Sequence, residues 1–162
     1  MIFATTGTQL AFPRLMAALN ALAPELGEPI VAQAGPEPGA AEAYRGLDVR
    51  THLSPEEYER TVAQARVLVA HAGIGTILTA RQHNKPLILV PRRHDLGEHR
   101  NDHQIATARQ VADLEGIHIA WEIADLGPLL ARHDLPAAND LDVSERRAAL
   151  TGFIRDWIAA KP

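Results

Sequence analysis

The stretch Val67-Leu68-Val69-Ala70-His71-Ala72-Gly73-Ile74-Gly75-Thr76 decides how the rest of the chain folds. Its apolar start has the length and composition of a short buried strand. Gly73 and Gly75 then interrupt the run, and a helix is expected from Gly75 to Asn84. A strand that turns through glycines into a helix leaves the first helical N–H groups unpaired, and the helix dipole puts partial positive charge at the same end. Such a turn suits an anion, and His71 and Thr76 flank it with groups fit for phosphate. The same residues also fit a tight turn that binds nothing.

Working outward, apolar runs alternate with helical periods. Ile2-Phe3-Ala4-Thr5 reads as the first strand and Gly7-Thr8 as its turn. Leu15, Met16, Leu19 and Leu22 then recur at helical spacing, with a stop expected near Pro24. Pro29 to Ala34 is a second strand, closed by the loop Gly35-Pro36-Glu37-Pro38-Gly39, and Asp48 to Leu53 is a short third. Ser54-Pro55-Glu56-Glu57 supplies an N-cap, a proline at the first helical position and acidic residues in the first turn. Tyr58, Val62 and Ala65 form that helix's inner stripe.

Beyond the glycine turn, Pro86 to Pro91 is continuously apolar, as a central parallel strand should be. A helix through Ile105, Ala108, Val111 and Ala112 follows, then a strand from Ile117 to Ala120 and a short helix from about Ile123 to Leu130. After a turn at Pro136 to Asn139, a last helix is expected, with Leu150, Phe153, Ile154, Trp157 and Ile158 on one face. That face reads as core packing, or as a docking face for a partner. The alternation predicts one α/β domain over residues 1–162, a Rossmann-like parallel sheet with helices on both faces. In such sheets ligands sit beyond the carboxyl ends of the strands, so the loops after the first, fourth and fifth strands are the places to search.

Composition narrows the function. With 46% hydrophobic and 22% charged residues, the chain can fold around a core and is not a disordered segment. A formal charge of −4 argues against nucleic acid as a partner. Aromatic residues make up only 4%, which disfavours a base-stacking platform. The absence of cysteine excludes thiolate metal sites and thiol nucleophiles. The N-terminal residues lack a signal-peptide pattern, and no apolar run reaches the length of a membrane span.

Three segments hold the candidate chemistry. The glycine turn is neither a P-loop, lacking Gly-Lys-Ser/Thr, nor a dinucleotide fingerprint, which belongs to the first strand. Gly7-Thr8 is a second, smaller version of the same device. The third is Pro91 to Gln104, which contains Arg92, Arg93, His94, Glu98, His99, His103 and Gln104. Arg92 and Arg93 fit a bidentate anion clamp, or equally two solvated arginines at a strand end. His99 and His103 are four apart on an expected helix with Glu98 adjacent, which admits a metal site but also a solvated turn. Glu98, His94 and His99 are the available general bases, and spacing singles out none of them. No Gly-x-Ser-x-Gly elbow exists, and the two serines, Ser54 and Ser144, stand where helix capping explains them.

Taken in order, Thr6-Gly7-Thr8 with Phe12 and Leu15, His71 to Thr76, Lys85 to Pro91 and Asn101-Asp102-His103-Gln104 resemble the C-terminal, donor-binding half of MurG-type, family 28 glycosyltransferases, which have the GT-B fold. The pattern is most similar to the small stand-alone version of that half. Examples are the catalytic subunit of the two-chain UDP-GlcNAc transferase of N-glycan assembly and the PssE-like subunit of bacterial exopolysaccharide glucuronosyltransferases. The resemblance runs from the first strand to about residue 114.

It implies transfer of a sugar from a UDP-sugar to a polyprenyl-diphosphate-linked acceptor, with no metal or cofactor. Gly7, Thr8, Gly73, Gly75 and Thr76 would hold the diphosphate with His71 nearby, and His103 and Gln104 would reach the donor sugar. One departure stands out. The family usually has Glu three residues after the motif's Thr, on the nucleotide ribose, and here that residue is Thr79. This leans toward the PssE-like branch, where Arg92 and Arg93 would suit the carboxylate of UDP-glucuronate. A UDP-GlcNAc transferase subunit and a non-catalytic nucleotide-binding module are the alternatives. The resemblance further implies a membrane-anchored, PssD-like acceptor subunit as partner and, through that partner, a cytoplasmic location at the inner face of the membrane. The oligomeric state is open: without its partner, the chain could pair with itself over an exposed apolar face.

Overall fold

The computed structural model describes residues 1–139. Six strands, β1 (Ile2–Thr5), β2 (Ile30–Gln33), β3 (Asp48–Arg50), β4 (Val67–Ala70), β5 (Leu87–Leu89) and β6 (Ile117–Ile119), form one sheet in the order β3-β2-β1-β4-β5-β6. Every pair is parallel, and Ile2 of β1 stands in register with Ile30 on one side and Val67 on the other.

The strands read as unbroken apolar runs because both faces of the sheet are covered. Ile2, Ala4, Val67, Val69 and Ile88 point to one core, where they meet Leu15, Met16 and Leu19 of α1 (Pro13–Leu26), Ala40 of α2 (Ala40–Ala43) and Leu126 and Leu130 of α6 (Leu126–Leu130). The intervening Phe3, Leu68, Ala70, Leu87 and Leu89 point to the other core, against Val62 of α3 (Pro55–Gln64), Ile77 and Ala80 of α4 (Ile74–Gln82) and Ala108 of α5 (His103–Val111). The period-2 alternation of side chains thus builds two cores from one set of strands.

Strand order reverses between β1 and β4. The chain leaves β1 toward α1 on one face and leaves β4 toward α4 on the other, so the two loops part and open a crevice at the carboxyl edge.

Three local expectations are corrected, and one short helix is added. The first helix runs through Pro24 to Leu26 and stops at Gly27, whose φ of 64° is a left-handed C-cap. Pro24 lies in the last turn, where a missing N–H removes a single ladder bond. The third strand ends at Arg50, because the Leu53 amide donates to Gln33 Oε1 (3.1 Å) instead of to a strand. The four-residue α2, which follows the proline–glycine loop, is too short to leave a period in the sequence. His99 and His103 do not share a helix, since α5 begins at His103. The expected capping at Ser54 is present as a full box: Ser54 Oγ accepts from the Glu57 amide (3.2 Å) and Glu57 Oε2 from the Ser54 amide (2.9 Å). The helix expected through Leu150 to Ile158 lies outside the described residues. Among those described, no helix is long and apolar enough to cross a membrane.

Gly116 closes the turn into β6 with φ of 76°, and a Cβ there would stand 1.9 Å from the Ala138 amide nitrogen. The blocking atoms are backbone of Ala137 and Ala138, which cannot swing aside as a side chain would. Gly116→Ala is therefore expected to lower stability by about 2–4 kcal/mol, read as a fall in the urea midpoint. Gly27→Ala, with open space around it, should cost only about 1 kcal/mol.

Candidate functional site

A cleft of about 710 Å³ opens at the carboxyl edge of the sheet, where β1 and β4 part. Three loops meet in it. The β1 loop contributes Gly7 and Thr8, the β4–α4 turn contributes His71, Gly73, Gly75 and Thr76, and the segment into α5 contributes Arg92, His99, His103 and Gln104. Thr79, one turn into α4, also lines the cleft. Among the described residues, no carboxylate does.

The amino end of α4 is the part best prepared for an anion. Its N-cap is Gly73, which makes no side-chain capping bond, so the first-turn N–H groups are left for something else. A Cβ at Gly75 would meet nothing within 4 Å. Gly73 is a glycine for a different reason, since a Cβ there would lie 2.4 Å from His71 Nε2. Gly7 has φ of 83°, and its Cβ would come within 3.0 Å of the same ring. The imidazole of His71 is thus wedged between the two glycine turns and joins them.

His71 Nδ1 is buried without a hydrogen-bond partner. Burial first, then the Arg92 guanidinium, then His99 and His103, push the imidazole down from 6.5 to about 4, with the Thr5 backbone partly opposing. It is neutral at pH 7 and offers one ring N–H. The rings of His99 and His103 meet edge to face at 4.4 Å between centroids, and His103 Nδ1 lies 2.8 Å from Asn101 Oδ1. Gln104 Oε1 accepts from the Arg92 amide (3.0 Å), which leaves its Nε2 as the available donor.

The basic and acidic residues of the segment are placed differently from expectation. Arg92 is 2% exposed, and its guanidinium donates to the carbonyls of Thr6 (3.0 Å), Leu10 (2.7 Å) and Ala11 (2.5 Å), so it is no open clamp for a ligand carboxylate. Arg93 stands outside the cleft, paired with Asp95 (3.1 Å) and Glu122 (2.9 Å). Glu98 is also outside, taken by Arg14 (2.5 and 2.9 Å) and by the Arg93 amide (2.9 Å). It is available neither as a general base nor as a metal ligand beside His99. His94 turns its Nδ1 to the His99 carbonyl (3.1 Å) and does not line the cleft. Of the three candidate bases only His99 faces it.

Gln33 and Tyr58 are among the lining residues that were not anticipated. Gln33 ends β2 and ties three segments, donating to Thr5 Oγ1 (3.3 Å) and accepting from Leu53. A buried glutamine closing an apolar strand was its signal. Tyr58, read as part of an inner stripe, packs edge-on against Phe3 (5.4 Å) and turns its phenol toward the cleft, and burial raises its pKa.

The sequence model of the family described as glycosyltransferase family 28 C-terminal domain matches residues 1–126. The chain belongs to this family. Its likeness to solved structures agrees in fold. MurG of Acinetobacter baumannii is 20% identical, with a TM-score of 0.60 over 83% of this chain and 42% of MurG. The glycosyltransferase of kitacinnamycin is 21% identical, with a TM-score of 0.60 over 91% of this chain and 37% of its own. A UDP-glucose:anthocyanidin 3-O-glucosyltransferase, solved in complex with UDP, is 19% identical, with a TM-score of 0.56 over 99% of this chain and 36% of its own. The chain therefore spans less than half the length of each. No curated protein matches it. The expected fold, a Rossmann-like domain of the GT-B C-terminal type, is the one observed.

The buried imidazole gives the family 28 domain a defined acid sensitivity. His71 binds a proton near 6.5 when unfolded but only near 4 when folded. The unfolded state thus holds more protons between these values, and stability falls as pH drops from 6.5 to 4. His71→Gln should reduce that fall by up to about 3 kcal/mol, measured by urea unfolding at each pH. His118, also pushed down by burial, is common to both proteins and cancels.

Proposed function

We propose that this domain holds the donor of a UDP-sugar glycosyltransferase, with the diphosphate at the amino end of α4. The observation behind this reading is the uncapped helix end facing a cleft that no carboxylate lines among the described residues. There, fixed N–H groups and the helix dipole would stabilise negative charge as it develops on the departing diphosphate. Thr8 and Thr76 hydroxyls and the His71 ring are placed to add neutral donors. In the reaction an acceptor hydroxyl oxygen bonds to the sugar's anomeric carbon, the bond from that carbon to the phosphate oxygen breaks, and UDP leaves with the electron pair. The acceptor's proton passes to a base.

For the sugar we propose glucuronate, on the PssE-like pattern. Support for it comes from His99, His103 and Gln104 Nε2, since Arg92 and Arg93 are otherwise engaged. A membrane-anchored, PssD-like partner would bring a polyprenyl-diphosphate-linked acceptor and the general base, and would hold the domain at the inner face of the membrane. Glu98 and His94 do not face the cleft, which favours a base from outside.

Two measurements test this. Calorimetric titration should show binding of UDP, and tighter binding of UDP-glucuronate than of UDP-glucose. No binding to a folded sample contradicts the donor role, and equal affinities contradict the choice of sugar. Gly75→Ala places a methyl in open cleft space at a helical position. It should leave stability unchanged or raise it by up to about 1 kcal/mol while weakening UDP binding about tenfold or more. Unchanged affinity would remove the diphosphate from the α4 end.

A further inference from the structure

We propose that Arg92 is a positioning residue: it draws the carbonyl oxygens of the β1 loop inward, away from the cleft, and so makes the loop a wall that tolerates an anion. The inference rests on the donor reading above for the identity of the ligand, and on the geometry below for the role itself.

Arg92 joins loops that are distant in sequence. Its guanidinium bonds the carbonyls of Thr6, Leu10 and Ala11 and lies 4.3 Å over the Phe12 ring, while its own amide fixes Gln104 at the start of α5. Across a trans peptide the C=O and N–H point in opposite directions. Three carbonyls converging on one buried guanidinium therefore have their negative ends engaged by its N–H groups instead of being free to face an anion. Only a planar fork with several donors can do this, because a lysine ammonium cannot span the three oxygens with its charge stacked on the ring.

A structural filler would not need the charge. An apolar side chain of similar size would occupy the space without the desolvation that lowers the Arg92 pKa. Among the described residues no carboxylate hydrogen-bonds this guanidinium: Glu98, the acid that acts on it, is held by Arg14. The charge thus has no hydrogen-bonded counter-ion among the described residues, and its field favours the neutral form of His71 in the cleft beside it. A diphosphate is the ligand chemistry that would complete it.

The experiment compares the full chain with Arg92→Lys and Arg92→Met. The readouts are amide hydrogen exchange across residues 7–11, UDP affinity, and the His71 imidazole titration followed by NMR. In both variants, loop exchange should accelerate and UDP affinity should fall, each about tenfold or more. The His71 titration separates charge from geometry: it should stay low with lysine and move toward the ordinary value with methionine. Wild-type exchange and affinity in folded Arg92→Lys would overturn the positioning role and leave the donor reading intact. Accelerated exchange in a chain whose wild type does not bind UDP would do the reverse. Should neither variant fold, the wild-type Arg92 Nη protons decide. Separate, slowly exchanging resonances support the fork, and a single averaged signal overturns it.

Discussion

Parallel strands all point their carboxyl ends the same way, so every helix that follows a strand begins at the same edge of the sheet. In this chain the edge is also where the order β3-β2-β1-β4-β5-β6 reverses, and the loops after β1 and β4 separate there. The amino end of α4 enters that crevice through Gly73, which leaves it without a side-chain cap. Unpaired N–H groups beside a low-dielectric core demand a partner, and water or an anion can serve. The rest of the site is arranged around that demand.

Imidazole, glycine and guanidinium share the task of keeping the crevice open and free of negative charge. His71 fills the space that Gly7 and Gly73 vacate, so the two phosphate-side turns are packed through one ring rather than set independently. Arg92 removes the β1-loop carbonyls from view, and Arg14 holds Glu98 outside the cleft while donating to the Pro91 carbonyl (3.1 Å). The polar density of residues 91–104 is therefore mostly internal wiring between the β5 loop, α1 and the β1 loop. Only His99, His103 and Gln104 of that segment, with Arg92 beneath them, reach the cleft.

What the sequence could and could not tell follows from the physics of each signal. The strands were legible because burial on two faces leaves continuous apolar runs, and the glycine turn because it breaks such a run abruptly. Most of the expected lining residues meet in the cleft, since loops that leave one sheet edge at a reversal point must converge. The partners of Arg92, Arg93 and Glu98 were not legible, because composition reports which groups are present and not which are already paired. Three backbone carbonyls, invisible in sequence, satisfy Arg92, and residues 84 positions apart pair Glu98 with Arg14. Gly73 lines the cleft as expected, and it must also be glycine because a Cβ there would collide with His71, a contact the sequence does not show. The stop at Gly27 instead of Pro24 reflects how little a proline disturbs a helix in its last turn.

The proposed function stands on a nucleoside diphosphate resting on the amino end of α4 with the β1 loop opposite. A crystal structure of the chain with UDP tests it most directly. It should place phosphate oxygens within hydrogen-bond distance of the Gly75 and Thr76 amides, with His71 still wedged between Gly7 and Gly73. UDP bound elsewhere, or with its phosphates turned away from α4, would contradict the account.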